Sequence, residues 1–218
     1  MLDDVFGAIR VNDADRLARL LDADPELAGW RDEGGISPLS LAAYMGRADL
    51  VQIIRSRRGR PDFFEALLVG DDAVVRDAIA GGQDVDGRAP DGFTPLGLAV
   101  FFGQADLARM LIDAGADIDA RAENAQKVGP IHAAVAQGNL AMLDMLLARG
   151  ADPNAAQQQG VRPVHAAASR GDAPAVALLI FFGANLDATS DPGQTAADYA
   201  RERGHLSLAE QIEKFRTR

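Results

Sequence analysis

The chain of 218 residues contains no cysteine, which excludes a disulfide framework, thiolate metal sites and thiol redox chemistry. Basic residues are outnumbered, since 22 Lys and Arg against 32 Asp and Glu give a formal net charge of −10. General affinity for nucleic acid or an anionic membrane depends on positive charge, so we expect neither. No apolar run approaches the length of a membrane span, and the acidic start MLDDVFGAIR does not resemble a secretory signal. We therefore expect a cytoplasmic location.

What the chain has instead is repetition. The stretch GPIHAAVAQGN at Gly129 returns 33 residues later as RPVHAAASRGD at Arg162. Such phrases end at a glycine, or once at an asparagine, and a segment with apolar residues at the fifth, eighth and ninth positions follows. That spacing predicts a helix rather than a strand. We call these end points the register positions; they are Asn12, Gly46, Gly70, Gly103, Gly138, Gly171 and Gly204.

The phrases before the register positions resemble the ankyrin repeat, which has a 33-residue period and a T-P-L-H-x-A signature. They include SPLSLAA at Ser37, TPLGLAV at Thr94 and QTAADYA at Gln194, and the resemblance covers nearly the whole chain. It implies an all-α fold: one ankyrin-type α-solenoid domain of about seven helix-turn-helix units with short β-hairpin-like fingers. The expected units are residues 1–33, 34–60, 61–91, 92–126, 127–159, 160–192 and 193–218, with the first and last as caps.

One interval departs from this pattern. Gly46 and Gly70 are only 24 residues apart, and the stretch RSRRGRPDFFEALL leads almost directly from one outer helix to the next inner helix. Here an inner helix is the first of a pair and an outer helix is the second. The sequence therefore predicts that the finger between the second and third units is missing.

The residues that suggest chemistry have structural explanations. His132 and His165 invite a metal interpretation, but they share one place in the repeated phrase, where the resemblance implies a histidine hydrogen-bonded to backbone. The acidic pairs in the fingers lack the closing glutamate of a twelve-residue calcium loop. The common nucleotide-binding, metalloprotease and hydrolase motifs do not occur. We expect no enzyme activity, no cofactor and no metal.

The resemblance implies that a partner lands on the concave face, where the inner helices end. The residues just before the register positions are apolar or aromatic in the second to fourth units and mostly small or polar afterwards. An aromatic stripe of this kind is typical of an interface. An alternative for Leu68 and Val69 is core packing where the finger is missing. The predicted partner-binding residues are Tyr44, Met45, Leu68, Val69, Phe101, Phe102, Gln137 and Arg170.

Two further features stand out. Phe181 and Phe182 leave an outer helix, where we prefer packing beneath the C-terminal unit to a self-association patch. A cluster of four arginines is the one positive island, and it is either a solvated loop or a contact for phosphate, an acidic peptide or RNA. These arginines are Arg55, Arg57, Arg58 and Arg60.

The sequence as a whole predicts a non-enzymatic protein-interaction module, a scaffold or regulator that binds a protein or peptide on its concave face. Its acidic fingers would favour basic residues on that partner. The alternative is a regulator that contacts an anionic ligand or nucleic acid through the arginine cluster.

Overall fold

The computed structural model describes residues 2–216 and confirms the all-helical prediction. It contains fourteen α-helices and two short 3₁₀ segments, Pro25–Gly29 and Gln158–Gly160, and no strand is present among residues 2–216. The fingers of this part of the chain are accordingly turns without β-bridges. No helix between residues 2 and 216 combines the length and the apolar composition that a membrane span requires.

The helices alternate as inner and outer members of seven pairs. The inner helices are α1 (Leu2–Arg10), α3 (Pro38–Tyr44), α5 (Phe63–Val69), α7 (Pro95–Phe101), α9 (Pro130–Gln137), α11 (Pro163–Ser169) and α13 (Ala196–Glu202). The outer helices are α2 (Ala14–Ala23), α4 (Ala48–Arg57), α6 (Asp72–Ala80), α8 (Ala105–Asp113), α10 (Leu140–Ala148), α12 (Ala173–Phe181) and α14 (Leu206–Arg216).

The helix starts follow from the repeated phrase. In α3 and α7 a proline occupies the first turn, where its missing N–H costs nothing. The preceding Ser37 and Thr94 accept a hydrogen bond from the backbone N–H three residues on. Several outer helices begin in the same way, with an Asp or Asn cap directly after the register position, as at Asp71 and Asn139.

The register positions share one backbone conformation. All seven have positive φ, from 58° at Asn12 to 81° at Gly204. This left-handed conformation ends the inner helix and turns the chain into the outer one, and glycine or asparagine adopts it at the lowest cost. At Gly171 a side chain would also collide with the His205 ring, since its Cβ would lie 2.6 Å from two ring atoms. The glycine therefore permits both the turn and the close approach of the next pair.

The chain forms two compact units. The first comprises the described residues up to Asp84 together with Ala89–Asp91. Within it α1 packs on α3, α3 packs on α5, and α2 packs on α4. Its core includes Ile9, Leu17, Leu39 and Ile54, all fully or almost fully buried.

The second unit comprises Val85–Arg88 and the described residues from Gly92 onward. Its inner helices pack in series, α7 on α9, α9 on α11 and α11 on α13, and α10 packs on α12. Leu96, Leu111, Ile131 and Leu146 are buried between the layers. The small residues Ala134, Ala167 and Ala200, which are all fully buried, lie in the inner helices.

Candidate functional site

In the second unit an aromatic group lies at the end of the first inner helix. Phe101 is the last residue of α7 and is 39% exposed, while Phe102 is half-buried. The two rings meet edge to face with centroids 5.3 Å apart, and Phe93 lies 6.4 Å from Phe101 on its other side. The three rings restrict one another. The exposed ring of Phe101 would therefore lose little conformational entropy when a partner binds.

The next two inner helices place polar side chains at the same position. Gln137, at the end of α9, and Arg170, after α11, are both exposed. The Arg170 guanidinium group lies over Gly138, where an added Cβ would be 2.8 Å from Nη2. Since α9 packs on both α7 and α11, these ends form one surface, with an aromatic end and a polar end.

In the first unit the corresponding residues are less available. Tyr44 is half-buried and donates a hydrogen bond to the carboxylate of Asp91; burial and this bond raise the pKa of the Tyr44 hydroxyl. Met45 and Val69 are half-buried and pack against the core, and Leu68 is 6% exposed. For Leu68 the core-packing alternative therefore describes its position.

The prediction of a missing finger agrees with the helix bounds. Only residues 58–62 separate α4 from α5, whereas residues 114–129 separate α8 from α9. In place of a finger the first unit has a buried carboxylate, Glu65, which has no exposed surface. Glu65 receives hydrogen bonds from Arg58, from the Ser37 hydroxyl at 2.5 Å and from the Asp62 backbone N–H at 3.0 Å.

These contacts determine the charge of Glu65. Burial by itself raises the pKa of the carboxyl, but the bonds from Arg58, Ser37 and Asp62 outweigh burial and lower it. Arg31 adds a second cation at 3.6 Å. Glu65 thus stays ionised and links three consecutive pairs. Sequence reasoning missed this role, although the capping-box pattern of Asp62 followed by Glu65 in an apolar run was its signal.

The arginine cluster is occupied by ion pairs within the first unit. Arg55 pairs with Asp71 at 2.9 Å, and Arg57 pairs with Asp22 at 2.7 Å. Arg58 pairs with Glu65, and Arg60 pairs with Asp77. Arg55 and Arg57 lie in α4 rather than in a loop, and the cluster is partly solvent-exposed while it pairs with these carboxylates. An open pocket of about 270 Å³ lies beside the last three arginines, but it is also lined by Glu26.

The two histidines lie where the resemblance implied. His132 Nε2 is 3.0 Å from the carbonyl oxygen of Ala155, and His165 Nε2 is 3.0 Å from that of Ala188. Burial lowers the pKa of His132 to about 4 and also lowers that of His165. Both rings are therefore neutral at pH 7 and donate through Nε2, which ties each finger to an inner helix. No group of three metal-ligating side chains occurs between residues 2 and 216.

The polar residues of the fingers bind one another. The Asp117 backbone N–H donates to Asp86 at 2.9 Å, and that of Asp152 donates to Asp119 at 3.0 Å. Asn185 continues the series by donating to the side chain of Asn154 at 2.7 Å. We call this series the finger ladder. Its carboxylates already accept hydrogen bonds inside the protein, which is why acidic residues recur there.

The prediction that Phe181 packs beneath the C-terminal unit is wrong. Its side chain is 82% exposed at the end of α12, so it does not pack beneath the C-terminal unit, whereas Phe182 is half-buried. Phe181 follows the buried Leu179 by two residues, which at 3.6 residues per turn places it on roughly the opposite side of α12.

Comparison with known sequences finds ankyrin repeats. The family model described as ankyrin repeats (3 copies) matches residues 54–157 and again residues 131–213. Over 120 residues the chain is 29% identical to the ankyrin repeat and SAM domain-containing protein 6 of Rattus norvegicus. This alignment covers 50% of the chain and 14% of that protein, so the chain spans a small part of the length of this relative.

Proposed function

Because the chain belongs to the ankyrin-repeat family, whose members are generally protein-interaction modules and typically not enzymes, we propose that it binds a protein or peptide on the ends of its inner helices. The observation that carries this proposal is Phe101, an exposed aromatic residue buttressed by two further rings beside polar neighbours. A scaffold or regulator in the cytoplasm is the role we propose for it.

The two ends of the surface suggest how a partner is held. An apolar side chain of the partner would cover Phe101 and Phe102, where exclusion of water supplies most of the affinity. Gln137 and Arg170 would hydrogen-bond to flanking polar or acidic groups and fix the register of the segment. Tyr44, Met45 and Val69 lie at the same position of the inner helices in the first unit, and we propose them as partner contacts of that unit taken by itself, with Leu68 supporting them from the core.

The test is a partner-binding comparison of two phenylalanine variants. The protein would be used to capture partners from native lysate, and the Kd of a partner identified in this way would be measured with purified components. We expect Phe101→Ser to weaken binding by about 30-fold, the equivalent of about 2 kcal/mol for an aromatic anchor. Phe215→Ser, at an exposed position of the outer helix α14, is the matched control and should leave the Kd unchanged.

An unchanged Kd for a folded Phe101→Ser variant would refute the aromatic anchor. The alternative function, an anion contact at the arginine cluster, would require the anion to compete with the carboxylates with which all four arginines pair.

A further inference from the structure

Two outer helices of the second unit are apolar on the side that faces solvent. The nine residues of α12, APAVALLIF, include no polar or charged side chain, and α10 has one, Asp144. The sides that face the core are already packed, since Leu143, Leu146 and Leu179 are buried. A helix that is apolar all round is normally covered on every side.

The solvent-facing residues form a continuous row. On α12 they are Ala173, Pro174, Ala177 and Phe181, and on α10 Leu140 is 41% exposed beside Ala141. The neighbouring outer helix α8 shows the usual composition, because its exposed positions are Asp106, Arg109 and Asp113. The apolar surface of α10 and α12 therefore does not continue onto α8.

An open surface groove lies between these two helices. It has a volume of about 610 Å³ and is lined by Leu140, Ala141, Asp144, Pro174 and Leu178. Apart from one carboxylate its walls are apolar, a composition typical of sites that receive apolar side chains. The exposed row from Ala173 to Phe181 is about 12 Å long at 1.5 Å per residue, which matches two to three turns of a docked helix.

The carboxylate gives the groove a charge preference. Asp144 is exposed and forms no ion pair within residues 2–216. Other acidic residues of this unit are paired, such as Asp113 with Arg149 at 2.6 Å and Asp187 with Arg216 at 2.9 Å. A cation brought by a partner would thus find its counter-charge at Asp144, at the edge of an apolar surface.

We propose that this groove docks an amphipathic helix of a partner protein. Its apolar face would present residues spaced i, i+4 and i+7 to Leu140, Leu178 and Phe181. A lysine or arginine beside that face would pair with Asp144. This surface is separate from the inner-helix ends, so the protein would hold two segments at once, as a scaffold does.

The test uses two synthetic helical peptides of 18 residues. Each has leucines at three positions spaced i, i+4 and i+7 in an alanine and glutamine background, and they differ only by an arginine or a glutamate beside the leucines. Affinities would be measured by fluorescence anisotropy at low salt. We expect the arginine peptide to bind wild-type protein at least tenfold more tightly, and Asp144→Lys to reverse the preference.

Two controls keep the result interpretable. Asp106→Lys makes the same charge change on α8 and should leave the preference as in the wild type. Leu178→Glu should abolish binding of both peptides, with circular dichroism verifying the fold. Failure of both peptides to bind, or an unchanged preference in Asp144→Lys, would overturn the proposal. Dimerisation detected by light scattering and lost in Leu178→Glu would assign the groove to a second copy and also overturn it.

Discussion

The two units join their consecutive repeats by different means. In the first unit α4 and α5 are connected without a finger. Glu65 links three helix pairs through Arg31 after the first pair, Ser37 and Arg58 of the second, and the cap at Asp62 of its own. In the second unit fingers separate the pairs, and the finger ladder and two histidines hold them. One buried charge thus links consecutive helix pairs in the first unit, whereas several weaker hydrogen bonds link them in the second.

This difference has an energetic consequence. A buried carboxylate that loses its cation leaves an uncompensated charge, which costs far more than a lost surface contact. A hydrogen bond in a partly exposed finger contributes only about 1 kcal/mol. The first unit should therefore be sensitive to one residue, whereas damage to the second should scale with the number of bonds removed.

The largest effect is expected from Arg58→Ala. This substitution leaves the buried Glu65 carboxylate without its main cation. We therefore expect the free energy of unfolding of the first unit to fall by about 3–5 kcal/mol. Arg60→Ala is the matched control, because its pair with Asp77 is exposed and should contribute less than about 1 kcal/mol. Urea unfolding followed by circular dichroism measures both. Equal losses in the two variants would show that the buried carboxylate is not the principal link.

A smaller effect should depend on pH in the second unit. Because the folded protein holds the pKa of His132 at about 4, the unfolded chain takes up a proton first as pH falls below about 6.5. Stability is then lost between about pH 6.5 and pH 4, by on the order of 3 kcal/mol for this group. His132→Gln keeps an amide donor for Ala155 but does not titrate.

The measurement is the free energy of unfolding of wild type and His132→Gln at several values between pH 7 and pH 4. The wild type should lose more stability than the variant over this range. His165 titrates in the same direction and is present in both proteins, so it does not affect the difference. Parallel pH profiles would mean that the buried imidazole does not couple the finger to protonation.

The sequence predicted the repeat well because its signals are local. Positive φ at Gly138, proline in the first helical turn and the missing finger all follow from short-range steric rules that neighbouring residues reveal. The histidine contacts also recur at a fixed spacing. Such features are readable without knowing which surfaces meet.

The candidate sites were harder to predict because they depend on three-dimensional surroundings. Leu68 and Phe101 occupy equivalent ends of inner helices, yet Leu68 is buried and Phe101 is exposed. The arginines looked free in the sequence because their partners Asp22 and Asp77 are distant along the chain. Phe181 is different, since its place two residues after Leu179 in the helical pattern already indicated the exposed side.

The smallest effect is expected at Asp119 in the finger ladder, where the hydrogen-bond acceptor and the charge of one carboxylate act in opposite directions. Asp119 accepts from the Asp152 N–H, while burial and the charges of Asp152 and Asp117 raise the pKa of its carboxyl. A raised carboxyl pKa means that the ionised form is disfavoured in the folded state, so the charge itself weakens the fold at neutral pH. The acceptor oxygen, by contrast, strengthens it.

Asp119→Ala should therefore lower the free energy of unfolding by about 1 kcal/mol, whereas Asp119→Asn, which keeps an acceptor and removes the charge, should be at least as stable as the wild type at pH 7. Thermal unfolding of the three proteins at pH 7 makes the comparison. If asparagine were as damaging as alanine, the carboxylate charge would be the stabilising feature, and the acidic fingers would have to be explained by charge rather than by their hydrogen bonds. If neither variant changed the melting temperature, the ladder would contribute nothing measurable, and the packing of α9 on α7 and α11 would hold the second unit together without it.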